Sequence, residues 1–144
     1  MIKKADFNDI EDLTRLASSL WSDCPESELK DGFLSAVSSE NCACFIKYVD
    51  ANAVGFAQCG LRRDYVEGTN SSPVGYLEGV FIDEPFRRKG FAKELLDKCE
   101  SWAKSKGCLE FASDCELNNK SSLAFHLKTG FEEANRIICF VKKL

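Results

Sequence analysis

One kind of chemistry is written into this sequence at readable spacing, an anion cradle. The apolar run Tyr76-Leu77-Glu78-Gly79-Val80-Phe81-Ile82 leads through Asp83-Glu84-Pro85-Phe86 into Arg87-Arg88-Lys89-Gly90-Phe91-Ala92. A strand therefore feeds a basic, glycine-containing turn that opens a long helix. Backbone N–H groups at a helix start have no partner within the helix, and the helix dipole adds positive potential there. Gly90 lets backbone approach a phosphate closely, and Ala92 keeps the helix start small. Neither a Walker string nor a G-x-G-x-x-G dinucleotide fingerprint is present.

These residues need a scaffold, and hydrophobic periodicity supplies one. Ile2 to Ala5 reads as a short strand. Asp6 or Asn8 caps a helix with Ile10, Leu13, Leu16, Ala17 and Leu20 on one face, and Trp21 follows that stripe. Pro25 opens a second helix with Leu29, Phe33, Leu34 and Val37. Cys42 to Val49 and Val54 to Leu61 are strands joined by the turn Asp50-Ala51-Asn52-Ala53. A polar loop spans Arg62 to Gly75, and Tyr76 to Ile82 is the next strand. Gly90 to Lys106 is the strongest helix signal, with Phe91, Ala92, Leu95, Leu96, Cys99, Trp102 and Ala103 as its stripe. Leu109 to Ser113 is a strand and Ser121 to Thr129 a helix. Phe131 to Lys143 reads as one or two strands, with the apolar run Ile137 to Val141. The order implies one α/β (α+β) domain over residues 1–144, a mixed sheet with helices on both faces.

Composition narrows the function classes. The 144 residues carry 19 basic and 23 acidic side chains, a net charge of −4, which argues against nucleic acid as partner. No apolar run is long enough to span a membrane and no secretory h-region opens the chain, so a cytoplasmic protein is expected. The eight cysteines include no C-x-x-C pair, and with one histidine they offer no zinc spacing. They read as reduced thiols that pack as small hydrophobes, with no metal.

The cradle matches the Gcn5-related N-acetyltransferase pattern [QR]-x-x-G-x-[GA] as Arg87-x-x-Gly90-x-Ala92, in its strand-to-helix setting. Downstream, Asn119-x-x-Ser122-x-x-x-His126-x-x-x-Gly130-Phe131 resembles the last helix of that superfamily. The resemblance implies that acetyl-CoA is the cosubstrate. It places the pyrophosphate on the N–H groups of Arg88, Lys89, Gly90, Phe91, Ala92 and Lys93, with Asn119 in the second motif. It also places backbone of Val80, Phe81 and Ile82 along the pantetheine arm. His126 stands where the superfamily commonly has a tyrosine near sulfur, and it is the candidate acid for the leaving thiolate; packing on a helix face is its other reading.

Further strings resemble the aminoglycoside 6'-N-acetyltransferases along essentially the whole chain: Leu20-Trp21-Ser22-Asp23, Asp64-Tyr65-Val66-Glu67-Gly68-Thr69, Ser72-Pro73-Val74-Gly75-Tyr76-Leu77-Glu78-Gly79 and Glu110-Phe111-Ala112-Ser113-Asp114. This resemblance implies a cationic sugar as acceptor, with Trp21, Tyr65, Glu78 and Asp114 as contacts. Asp114 or Glu78 is the candidate base. Asn135 stands where close relatives are expected to be acidic, a weaker contact for an ammonium. The resemblance also implies a homodimer, for which Ile137 to Val141 is a candidate edge. Two alternatives remain: another amine as acceptor (polyamine or peptide), and a non-catalytic acyl-CoA sensor.

Overall fold

A computed structural model describes all 144 residues. Strand β1 (Ile2–Lys4) leads through a 3-10 turn (Phe7–Asp9) into α1 (Ile10–Leu20) and then α2 (Glu26–Ser38). Strands β2 (Cys42–Val49), β3 (Asn52–Arg62) and β4 (Val74–Ile82) follow. After a second 3-10 turn (Glu84–Phe86) come α3 (Phe91–Ser105), the two-residue β5 (Phe111–Ala112) and α4 (Lys120–Lys128). The five strands form one sheet in the order β1-β2-β3-β4-β5. The first three pairings are antiparallel, and β4 with β5 is parallel. A parallel neighbour needs a crossover, and α3 provides it.

Strand alternation divides the core. Cys44, Ile46 and Phe56 face α1 and α2, where they meet Leu13, Leu16, Ala17 and Phe33. Ala43, Phe45, Ala57 and Leu77 face α3 and meet Leu95, Leu96, Cys99 and Trp102. Helices therefore cover both faces, as the apolar stripes imply. Asp6 caps the first turn in a reciprocal capping box with Asp9. Cys44, Cys59, Cys99 and Cys108 are buried, and burial pushes the Cys44 thiol up to about 12. Cys115 and Cys139 are exposed, so core packing does not account for them.

Several boundaries differ from the sequence reading. Strand β3 continues to Arg62 and β4 begins at Val74, so the loop is shorter and Arg62 is a strand residue. Strand β5 keeps only Phe111 and Ala112, because only Gly75 and Tyr76 of β4 pair with it. The expected strand after Phe131 does not form: residues 131–144 join no ladder, and Ile137, Ile138, Phe140 and Val141 are 69, 80, 90 and 95% exposed. An apolar run makes a strand only where a neighbouring edge accepts it.

Candidate active site

The site is built on β4. This strand carries a bulge, since Gln58 and Cys59 pair with Gly79 and Leu77, leaving Glu78 without a partner. The bulge shifts the alternation by one residue. Leu77 packs toward α3, whereas Gly79, two residues on, lies against α1, where a Cβ would come within 2.6 Å of the Trp21 ring. Glu78, the extra residue, is aimed outward and exposed. Trp21 ends α1 and packs edge-on to Phe56 at 5.9 Å between centroids. It therefore both caps the core and presents a half-buried ring against Gly79 of β4.

Tyr76, buried two residues before Glu78, donates its hydroxyl hydrogen to Asp114 Oδ2. Asp114 lies two residues beyond β5, not at its end. Burial, then the Asp114 carboxylate, raises the Tyr76 hydroxyl above its usual range. Arg62 stacks over the Tyr76 ring at 3.4 Å and donates from one nitrogen to both Glu78 carboxylate oxygens, each at 3.1 Å. The structure thus joins Glu78 and Asp114 through Tyr76 and Arg62. Neither connecting residue stands out in the sequence; the alternation Val74, Tyr76, Glu78 is the one signal that places Tyr76 near the carboxylates.

The loop from Arg63 to Pro73 borders this cluster. Val66 is buried against Val74 and Tyr76, while Tyr65 is 77% exposed. Asn135 lies on the loop rim, where its Nδ2 donates to Glu67 Oε1 at 3.1 Å. A Cβ on Gly68 would come within 2.5 Å of Ala134, so the loop and residues 134–135 pack tightly. The structure places Asn135 with Glu67 and gives it no bond to Glu78 or Asp114.

His126 projects from α4. Its Nδ1 is 2.7 Å from the Ser122 carbonyl, which can only accept, so Nδ1 carries the proton of the neutral ring. Nε2 then accepts from Ser113 Oγ at 2.8 Å, whose one hydrogen can otherwise go to the Leu77 carbonyl at 3.3 Å. Neutral His126 has no proton at Nε2 to give; only the imidazolium does, and Ser113 is then its acceptor. Ser113 is a second group that the sequence motifs did not single out.

The cradle lies at the other end of β4. None of the N–H groups from Arg88 to Lys93 donates to a backbone carbonyl or a side chain. Arg88 has φ +60° and Gly90 φ +81°, which turns successive N–H groups toward one side. A Cβ on Gly90 would meet nothing within 4 Å, so its surroundings are open to a ligand. Arg87 folds back, donating from Nε to the Ile82 carbonyl at 2.9 Å, and pins the turn to β4. Lys93 turns along its own helix to Asp97, leaving Arg88 and Lys89 as the outward cations. Beneath the helix start, buried Lys47 bonds Glu94 at 2.5 Å and lies 4.3 Å from the centre of the Phe91 ring. Between the two ends, β4 from Leu77 to Ile82 has no strand on its β5 side. Asn119 caps α4 by accepting from the Ser122 N–H at 3.1 Å, so only its amide N–H groups remain for a ligand.

This arrangement (strand, open edge, N–H cradle and long helix) fits the pyrophosphate and arm of coenzyme A. The model of the Acetyltransferase (GNAT) family matches residues 7–131. The chain belongs to this family. Among curated relatives, the aminoglycoside N(6')-acetyltransferase type 1 of Acinetobacter haemolyticus is 38% identical over 144 residues, 99% of this chain and 98% of the relative. The enzyme of that name from Salmonella typhimurium is 40% identical over 129 residues, 89% and 88% of the two chains. Among solved structures, AAC(6')-Iy in complex with the bisubstrate analog CoA-S-monomethyl-acetylneamine superposes with TM-score 0.96 at 35% identity, covering 100% of this chain and 98% of that one. AAC(6')-Ig from Acinetobacter haemolyticus gives TM-score 0.95 at 35% identity, covering 100% and 99%. The strands, turn and helices that carry the cradle and the carboxylate cluster lie within the matched residues 7–131.

Proposed function

We propose that this chain transfers the acetyl group of acetyl-CoA to the 6'-amino group of aminoglycosides by direct attack of the amine on the thioester, and so confers resistance to them. The observation that carries the reading is the layout of β4. Its phosphate cradle and its carboxylate cluster stand at opposite ends of one unpaired strand edge, so donor and acceptor meet along it. Orientation of two bound reactants supplies a large part of such a rate.

Acetyl-CoA supplies an activated acetyl group as its thioester. The N–H groups from Arg88 to Lys93 hold the pyrophosphate, with the amide of Asn119 beside α4. Backbone groups of Val80, Phe81 and Ile82 line the arm, and an N–H among them stabilises the oxyanion. The acceptor arrives as an ammonium. Asp114, held by Tyr76, takes its proton and frees the nitrogen lone pair. Glu78 binds a cationic group of the sugar, Trp21 offers its ring as a wall, and Tyr65 and Asn135 border the acceptor from the loop. The N–C bond forms, the acylated nitrogen gives its second proton to water, the C–S bond breaks, and the thiolate receives a proton. His126 as imidazolium is the candidate donor, through Ser113.

The chain acts in the cytoplasm as a homodimer joined through its C-terminal arm. No helix is long and apolar enough to cross a membrane. The test of the activity follows thiol release from acetyl-CoA with a panel of amines. Turnover is expected with kanamycin, which has a 6'-amine, and not with paromomycin, which has a 6'-hydroxyl. Turnover confined to polyamines or peptides overturns the acceptor, and acetyl-CoA binding without any turnover points to a sensor.

A further inference from the structure

The carboxylate that faces the acceptor is already paired with a cation of the chain itself. We infer that Arg62 occupies the ammonium position of Glu78 in the free enzyme, so that a cationic acceptor binds by exchanging with it. The inference rests on the proposed acceptor class and names a residue that sets its affinity.

Three observations support it. One guanidinium nitrogen of Arg62 sits 3.1 Å from both Glu78 oxygens, the place a substrate ammonium takes on a carboxylate. The contact uses one nitrogen rather than the two-nitrogen fork that makes arginine–carboxylate pairs strong. Both side chains are well exposed, 43% for Arg62 and 36% for Glu78, so water screens the pair and its loss costs little. Arg62 is also the last residue of β3, where the exposed loop begins, and is itself exposed. Lys47 and Glu94 make the contrast: there the lysine is 10% exposed and fixed under Phe91, a structural tie. The stack on Tyr76 keeps Arg62 close to the cluster. Displaced from Glu78, it adds a positive charge beside the acceptor, which disfavours ligands that place two ammonium groups there.

The test compares R62M, which keeps the stem and removes the charge, with R62K, which keeps a charge. Steady-state KM and kcat for kanamycin are measured together with its Kd by calorimetry, so binding is read whether or not turnover occurs. R62M is expected to lower KM and Kd about two- to fivefold, the range set by an exposed ion pair. R62K is expected near wild type. Adding E78Q to R62M is expected to erase the gain, since the carboxylate for which Arg62 and the acceptor compete is then gone. A weaker Kd in R62M overturns the inference and makes Arg62 a support for Glu78; an unchanged Kd overturns it as well. Loss of turnover in the wild type with kanamycin binding retained sinks the activity and leaves the Arg62 comparison readable from Kd, whereas a wild type that does not bind kanamycin sinks both.

Discussion

At the scale of single residues the carboxylate pair is differentiated by its neighbours. Asp114 accepts from a buried phenol, whereas Glu78 faces an exposed arginine. The phenol fixes one carboxylate oxygen and leaves the other for a proton in transit, which favours Asp114 as base and Glu78 as binding group. Asp114→Asn is expected to lower kcat by roughly 10²-fold or more while acetyl-CoA still binds. Tyr76→Phe keeps the buried ring and removes only the donor, so kcat is expected to fall by about tenfold with a smaller change in acceptor KM. The hydroxyl also carries a pH signature. Its folded pKa is raised above the ordinary 10.0, chiefly by burial and then by Asp114, so the protonated form is favoured in the fold. Its stability contribution is complete below pH 10.0 and is lost as pH rises toward the folded value. Thermal midpoints across that range should fall less steeply for Tyr76→Phe than for wild type; equal slopes show that Tyr76 is not the titrating group.

At the scale of elements, the decisive feature is the bulge in β4. The sequence marks Tyr76 to Ile82 as a strand and Gly90 to Lys106 as a helix, because periods of two and 3.6 are local properties. A bulge is a property of pairing, and nothing in Leu77-Glu78-Gly79 alone announces that Gln58 and Cys59 skip a residue. The same limit explains the pairing of Arg62 with Glu78, 16 residues apart, and the relay from His126 to Ser113. The cradle was legible because its groups are consecutive backbone N–H donors. Gly79 tests the bulge directly. Its missing Cβ is where the Trp21 ring lies, 2.6 Å from the position a methyl would take. The ring packs edge-on to Phe56 and must shift as a rigid unit to make room, so Gly79→Ala is expected to cost about 1–3 kcal/mol in denaturant unfolding. The displaced Trp21 should raise acceptor KM and leave acetyl-CoA KM unchanged. A rise in both would mean that β4 itself has moved.

At the scale of the molecule, the C-terminal arm is the part the rest of the chain does not explain. From Ile137 to Leu144 it makes no hydrogen bond to the body, yet it presents Ile137, Ile138, Phe140 and Val141 to solvent. Apolar surface of that density on a monomer is disfavoured, and an extended apolar arm is suited to pairing with an exposed strand edge. Strand β5, with only two residues in the sheet, leaves such an edge, and Phe131, ahead of the arm, lies 6.2 Å from Phe111 of β5 between ring centroids. Two copies can satisfy each other by the same contact made twice, as a closed dimer requires. Removing Ile137–Leu144 spares the Asn135–Glu67 bond and every core contact. The truncated chain is therefore expected to keep the cradle and the carboxylate cluster, while sedimentation shifts from dimer to monomer. Ile138→Asp, which buries a charge only if the arm is covered, should weaken the dimer in the same direction. If both variants sediment as the wild type does, the arm is not the dimer contact, and another face of the fold must hold any second copy.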